Sequence, residues 1–408
     1  MTSPITAPGT TATQADTRPG VTVLTGFRPE PTAAVATALA AADPTMLVVS
    51  HDVSRLESGI VRRLVTTATD TIEDATVHLD HGCLACTVRD DVLPTLARLA
   101  DNHPGRDIAL VIPSTLEPSA LAAACAYCHI DGRPVTELVR LDSVVAVIDA
   151  ATFLDDLRSD DDLSHRGLAA ADNDLRTVAD VAARQVEYAD TVLITGGDGD
   201  FETTRLSVLT RRLAPWAVHV ADTANLRDTR RFDADTPEVF ARGLEGYPIG
   251  VHDPSPDCGV SSLVFASRRP FHPGRLHALL GTIADHTLRG RGHLWLASQP
   301  DHAVAWESAG GGLSMGSLGH WLASLPDEDR DDVSPRRRLT ADLEWDPYYG
   351  DRGIKLDFVG LDFDAVDLQR ALTTCLLTDA ELSTGEETWR TWHDPFAGCL
   401  DDPTDEPS

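Results

Sequence analysis

Short apolar runs recur along the first half of the chain with room for one helix in each gap: residues 21–24, 46–50, 75–79, 107–112, 144–148, 191–194 and 218–220. Runs of this length without polar alternation read as strands buried on both faces. The stretches ending at Ala42, Leu99, Cys128 and Ala189 carry helical spacing between them, the last as one long helix over 169–189. Strands and helices in that order predict an α/β domain with a mostly parallel sheet and helices on both faces. Ligands of such sheets sit beyond the carboxyl ends of the strands.

The pattern breaks over residues 223–258, which are charged and rich in Pro and Gly, and this stretch reads as a linker. Strands are then expected over 260–266, 292–297, 303–308 and 354–360, helices over 273–286 and 364–377, and a polar loop over 327–338. That mixture predicts a smaller α+β domain over 259–400. Residues 1–20 read as a disordered arm, 21–222 as the first domain and 401–408 as an acidic tail. No signal peptide or membrane-length apolar run is present, so a cytoplasmic protein is expected, without a membrane partner.

Two thiols, Cys83 and Cys86, follow the expected third strand in the turn Leu79-Asp80-His81-Gly82-Cys83-Leu84-Ala85-Cys86. A C-x-x-C turn lets both sulfurs face one zinc ion, supports a redox dithiol equally well, or packs as two small hydrophobes. His81 is a candidate third ligand. Cys125 and Cys128 are further candidates, although thiols at i and i+3 on an Ala-rich helix read first as core.

The turn after the first strand, Thr25-Gly26-Phe27-Arg28-Pro29-Glu30-Pro31-Thr32, has the position of a phosphate-binding loop without its chemistry. Gly26 is its sole glycine, two prolines remove N–H donors, and Glu30 adds negative charge. Lys355, the one lysine in the chain, is too far along to serve this loop. GTP binding is therefore not expected.

Jointly and in order, several motifs resemble the CobW family of metal-chaperone GTPases. Gly82-Cys83-Leu84-Ala85-Cys86-Thr87-Val88-Arg89 is similar to its Gly-Cys-x-Cys-Cys-Thr-Val/Ile-Arg, with Ala85 in place of one cysteine. Val147-Ile148-Asp149-Ala150 and Gln185-Val186-Glu187-Tyr188-Ala189-Asp190 match two further family segments. The guanine-recognition motif Asn-Lys-x-Asp reads Thr195-Gly196-Gly197-Asp198 and keeps only its Asp. By this resemblance Gly26, Thr32 and Asp198 mark a degenerate nucleotide site, and the fold is P-loop-GTPase-like with a CobW-type C-terminal domain.

A narrower resemblance runs through Arg268-Arg269-Pro270-Phe271-His272, Trp306-Glu307-Ser308-Ala309-Gly310-Gly311-Gly312 and Asp394-Pro395-Phe396. These look like the actinobacterial proteins that recruit a ribosome hibernation factor under zinc limitation. The implied function is a non-catalytic adaptor that brings this factor to the small ribosomal subunit, with Cys83 and Cys86 as a zinc-responsive turn. A GTP-hydrolysing zinc metallochaperone is the alternative, and a thiol oxidoreductase a second. The net charge of −30 disfavours DNA and would require a local basic patch for ribosomal RNA. Arg268, Arg269, Arg291, Arg336, Arg337 and Arg338 are the candidates for it.

Overall fold

The computed structural model describes residues 16–169, 174–199, 201–226, 230–251, 253 and 255–399. Most of the expected N-terminal arm and the whole acidic tail lie outside these residues.

The first sheet has eight strands: β1 (Gly20–Thr25), β2 (Leu47–Arg55), β3 (Ile60–Thr66), β4 (Thr71–His78), β5 (Ile108–Val111), β8 (Arg140–Asp149), β9 (Thr191–Thr195) and β10 (Val218–Val220), in the order β10-β9-β8-β1-β5-β2-β3-β4. The intervening β6 (His129–Ile130) and β7 (Arg133–Pro134) form a separate small hairpin. Helices α1 (Pro29–Ala42), α2 (Leu84–Thr87), α3 (Leu93–Asn102), α4 (Pro118–Tyr127), α5 (Val135–Leu138), α6 (Phe153–Arg158), α7 (Val178–Tyr188) and α8 (Phe201–Leu213) connect the strands. Val21 and Val23 of β1 pack into one core, while Leu24 packs with Val35 and Leu39 of α1 on the other face. Burial on both faces is why these strands are continuously apolar.

Six strands pair in parallel, and the β2-β3-β4 edge is antiparallel. The expected third strand is therefore the outer arm of a hairpin. Its inner arm, β3, escaped the sequence reading because Arg63 shares the inward face with Val61 and Val65. That charge points at the buried Asp91 and breaks the apolar period. Two reversals return β4 to the direction of β2, so the Cys turn still leaves the sheet at its carboxyl edge.

The expected helix over 169–189 begins only at Val178. Thr177 and Asp180 form a reciprocal capping box there, which fixes the start. Residues 170–173 lie outside the described set.

The second sheet is antiparallel, in the order β11 (Val260–Ser267), β15 (Ile354–Leu361), β12 (Arg289–Leu294), β13 (His302–Ala309) and β14 (Gly312–His320). Helices α9 (Pro273–His286) and α11 (Ala365–Cys375) supply residues to its core, together with the fully buried Trp295, Trp306 and Trp321. His272 caps α9 by accepting from the Gly274 and Arg275 amides, and Pro273 occupies its first turn. The expected polar loop over 327–338 is partly helix: α10 (Pro335–Glu344) starts after Ser334, whose side chain accepts from the Arg337 amide. Residues 230–251 hold no helix or strand, yet Val239, Arg242 and Ile249 are buried, with the Arg242 guanidinium 3.7 Å above the Trp216 ring.

Candidate functional site: a two-thiol turn and an altered phosphate loop

Cys83 is the N-cap of α2, and its sulfur accepts the Cys86 amide at 3.2 Å. Gly82 leaves no room for a side chain, since a Cβ there would stand 2.1 Å from the Leu56 carbonyl oxygen. The turn is thus clamped against the loop that joins β2 to β3. Burial and the Cys83 bond act together on Cys86: the bond first, then desolvation, push its thiol above its ordinary value. This is the opposite of an activated redox thiol and leaves Cys86 dependent on a cation for its thiolate.

The segment after the turn, Val88–Val92, is a π-helical turn. It buries Asp91 between Arg63 and His51; Nε2 of His51 lies 2.9 Å from Oδ2, close enough for charge pairing although outside hydrogen-bond geometry. These three residues hold the thiol turn to the hairpin. Nothing in their spacing announces the arrangement; the sole sequence sign is an acid that falls at an inward position.

Cys83 opens onto a cavity of about 590 Å³ whose floor includes Leu84, Val88 and Leu116. Cys128 lines the same cavity, whereas Cys125 is buried and lines a different one below the sheet. Burial pushes the Cys125 thiol up to about 12, as expected of a core cysteine. The two C-x-x-C pairs therefore do not form one four-thiol site. His81 is exposed. Among the described residues no three His, Cys, Asp or Glu side chains gather as a metal site. The chain offers zinc two thiols here, and the remaining ligands would come from water or a partner.

The phosphate loop is filled by its own side chains. Only Gly26, Phe27 and Arg28 separate β1 from α1. Phe27 packs with Leu163, Val178 and Val181, and Arg28 pairs with Asp156 of α6. Counted from Gly26 on the P-loop spacing, the second glycine falls on Pro31 and the lysine on Thr32. Thr32 is buried and donates to the Arg28 carbonyl. The loop thus lacks both the second glycine and the lysine of a P-loop. A Cβ on Gly26 would lie 2.6 Å from the Val147 carbonyl and 2.7 Å from the Thr32 hydroxyl. Gly26→Ala is accordingly expected to destabilise the fold by about 1–3 kcal/mol in urea unfolding, as overpacking does; an open loop would tolerate the methyl.

Comparison with known proteins shows the family. A family model for the CobW/HypB/UreG nucleotide-binding domain matches residues 32–217, starting past Gly26, and one for the cobalamin synthesis protein CobW C-terminal domain matches 260–376. The chain is 36% identical over 381 residues to zinc chaperone Rv0106 of Mycobacterium tuberculosis, covering 88% of this chain and 89% of that protein. The chain belongs to the CobW family. It is also 28% identical over 346 residues to zinc-regulated GTPase metalloprotein activator 1 of Dictyostelium discoideum, covering 81% of this chain and 72% of that protein. Among solved structures, Zn(II)-bound YjiA GTPase from E. coli aligns with 88% of this chain and 99% of that chain at 15% identity and a TM-score of 0.37.

Within this family member, Asp198 lies exposed after β9. Gln185 and Asp190, noticed in the sequence as a family segment, act structurally. Gln185 donates to the Ser114 carbonyl at 2.7 Å, and Asp190 accepts from the Val144 amide at 2.8 Å and from the Ser143 hydroxyl.

The arginines expected to meet ribosomal RNA are largely spent within the chain. Arg291 is fully buried, so it is excluded from any surface contact: it pairs with Glu187 at 2.6 Å and Asp357 at 2.8 Å. Arg268 is held by the Glu344 and Arg352 carbonyls, Arg269 pairs with Asp379, and Arg338 pairs with Asp331. Arg337 binds the Leu318 and His320 carbonyls, and Arg336 lies over the Tyr247 ring.

Arg291 belongs to a chain of charges that joins the two sheets. It runs from Glu117, at the wall of the Cys83 cavity, through Arg184 to Glu307, Arg289, Glu187, Arg291 and Asp357. Burial pushes Asp357 up to about 7, because the single Arg291 charge is shared with Glu187. Glu187, between two guanidiniums, is held below its ordinary value despite its burial. The sequence reading missed Glu187, Glu307 and Asp357, which sit at buried positions of a helix and two strands.

Proposed function

We propose that this chain handles zinc at Cys83 and Cys86 without turning over nucleotide. The observation that carries this reading is an intact two-thiol turn, open to a cavity of about 590 Å³, in a chain whose loop after β1 has Phe27 packed on Leu163, Arg28 paired with Asp156 and Thr32 bonded to the Arg28 carbonyl. The relatives, a zinc chaperone and a zinc-regulated GTPase metalloprotein activator, support zinc as cargo or signal. Two thiols without a third ligand suit reversible binding, in which a partner or water completes the tetrahedron.

Competition with a chromophoric chelator tests the zinc step. Cys83→Ser is expected to weaken binding by more than the roughly 10–100-fold that loss of an outer-shell partner costs. An affinity unchanged in Cys83→Ser and Cys86→Ser would remove the site. GTP hydrolysis above buffer level that Gly26→Ala abolishes would overturn the nucleotide-free reading and restore a GTPase chaperone.

An altered phosphate loop also favours a role in binding rather than catalysis. The motif resemblance supplies the finer proposal: an adaptor that recruits a ribosome hibernation factor to the small subunit when zinc is scarce. Its test is co-sedimentation with ribosomes from zinc-starved cells. Normal loading of the hibernation factor in a deletion strain would end this proposal.

A further inference from the structure

A second cavity, of about 370 Å³, lies in the C-terminal domain between the second sheet and α10. Its walls include Arg268, Arg337, Lys355 and His293, together with Glu344 and Asp351. Such a concentration of cations is unexpected in a chain of net charge −30, and the sole lysine is among them. Among the described residues the Lys355 side chain makes no hydrogen bond and no ion pair, although 64 acidic residues are available in the sequence. Lys355 is partly exposed, and its ammonium carries no fixed counter-charge within the described chain.

The donors around it are unspent as well. His293 faces Lys355 directly across the β12–β15 ladder. Its ring is buried, and Nδ1 has no hydrogen-bond partner. Arg337 spends both terminal nitrogens on the Leu318 and His320 carbonyls but leaves its buried Nε unpaired. The acids do not neutralise the group. Asp351 accepts from the Leu322 and Ala323 amides at 2.9 Å each, and Glu344 stands 3.8 Å from Arg268 alone. Lys355, Nδ1 of His293 and Nε of Arg337, on three elements, therefore line one cavity with no hydrogen-bond partner.

The space beside them is kept open by a glycine. A Cβ on Gly243 would stand 2.7 Å from Cε1 and 3.0 Å from Nδ1 of His293, and 3.2 Å from Cδ of Lys355. Any larger residue there would fill the cradle between the imidazole and the lysine stem.

We propose that this cavity is a binding site for a small phosphate-bearing ligand, a phosphomonoester, whose oxyanion is held by Lys355, His293 and Arg337. A tetrahedral oxyanion presents acceptors in the several directions that three donors on separate elements require; a carboxylate presents two oxygens in one plane. The volume exceeds that of the ion itself and fits a small organic body behind it. The electrostatics agree. Burial, reinforced by the Lys355, Arg337 and Arg268 charges, lowers His293 to about 3, so the ring is neutral and the local field is positive. Burial likewise lowers the Arg337 guanidinium from its ordinary value, outweighing the opposing Asp351 and Glu245 charges.

The site is independent of the zinc reading, and its test uses the full chain with inorganic phosphate as probe. Isothermal titration at constant ionic strength is expected to show saturable binding, at least about tenfold tighter than acetate. The Trp321 ring, 5.9 Å from His293 and edge-on to it, should report occupancy by a fluorescence change. Lys355→Gln is expected to weaken phosphate by about tenfold or more, the scale of one charge-assisted hydrogen bond, and Lys355→Arg to restore most of it. Lys355 is partly exposed, so these variants leave the core intact. Phosphate binding no stronger than chloride or acetate, or binding indifferent to Lys355→Gln, overturns the assignment.

Discussion

Glu187→Gln is expected to destabilise the protein by about 3–5 kcal/mol, the range for removing one partner of a buried ion pair. Glu187 is fully buried and is the carboxylate that binds both Arg289 and Arg291. It sits on α7 of the first domain, while both arginines sit on β12 of the second sheet. Its loss leaves the two guanidiniums with one carboxylate each, Glu307 and Asp357, beside the backbone carbonyls that Arg291 also binds, in a buried region. The effect should appear in urea unfolding as a lower midpoint and as earlier proteolysis between the domains. Replacing Glu187, Arg289 and Arg291 together by apolar residues should recover part of the loss, because no charge is then stranded. A loss below about 1 kcal/mol for Glu187→Gln would mean that water reaches the cluster.

Asp91→Ala is expected to cost about 3 kcal/mol, at the low end of the same range, because Arg63 keeps Glu73 as a second partner. The consequence for function is local. Asp91 ties the π-helical turn to β2 and β3, and Cys86 stands one turn before it. Without this anchor the thiol, now 7% exposed, should react faster with an aromatic disulfide reagent, and zinc affinity should fall with it. An unchanged thiol reaction rate in a destabilised Asp91→Ala protein would show that the turn is held by Cys83 and Gly82 instead.

The outline of the first domain was legible because strands buried on both faces must be apolar throughout, and these runs stand out against any background. The parallel order, the carboxyl-edge position of the thiol turn and the α9 start at His272-Pro273 all followed from local patterns. The elements that escaped are those in which a charge occupies an inward position. Arg63 hid β3, and Arg289 and Arg291 shifted the expected start of β12 to Gly292. The Arg336–Arg338 run read as loop because its cap, Ser334, lay inside an acidic stretch. For Arg63, Arg289 and Arg291 the inward charge is acceptable only because a carboxylate distant in the sequence neutralises it.

The same division holds for the sites. Sequence alone determined the two-thiol turn and the make-up of the loop after β1, which lacks the second glycine and the lysine of a P-loop. Tertiary structure decided that Cys125 and Cys128 point to different cavities and that Arg291 is a buried strut rather than a surface contact. It also brought Lys355 and His293 together with Arg337 around Gly243. Those outcomes depend on pairings between residues tens of positions apart. Local composition reports which groups a chain has, but Coulomb and desolvation energies depend on which groups meet.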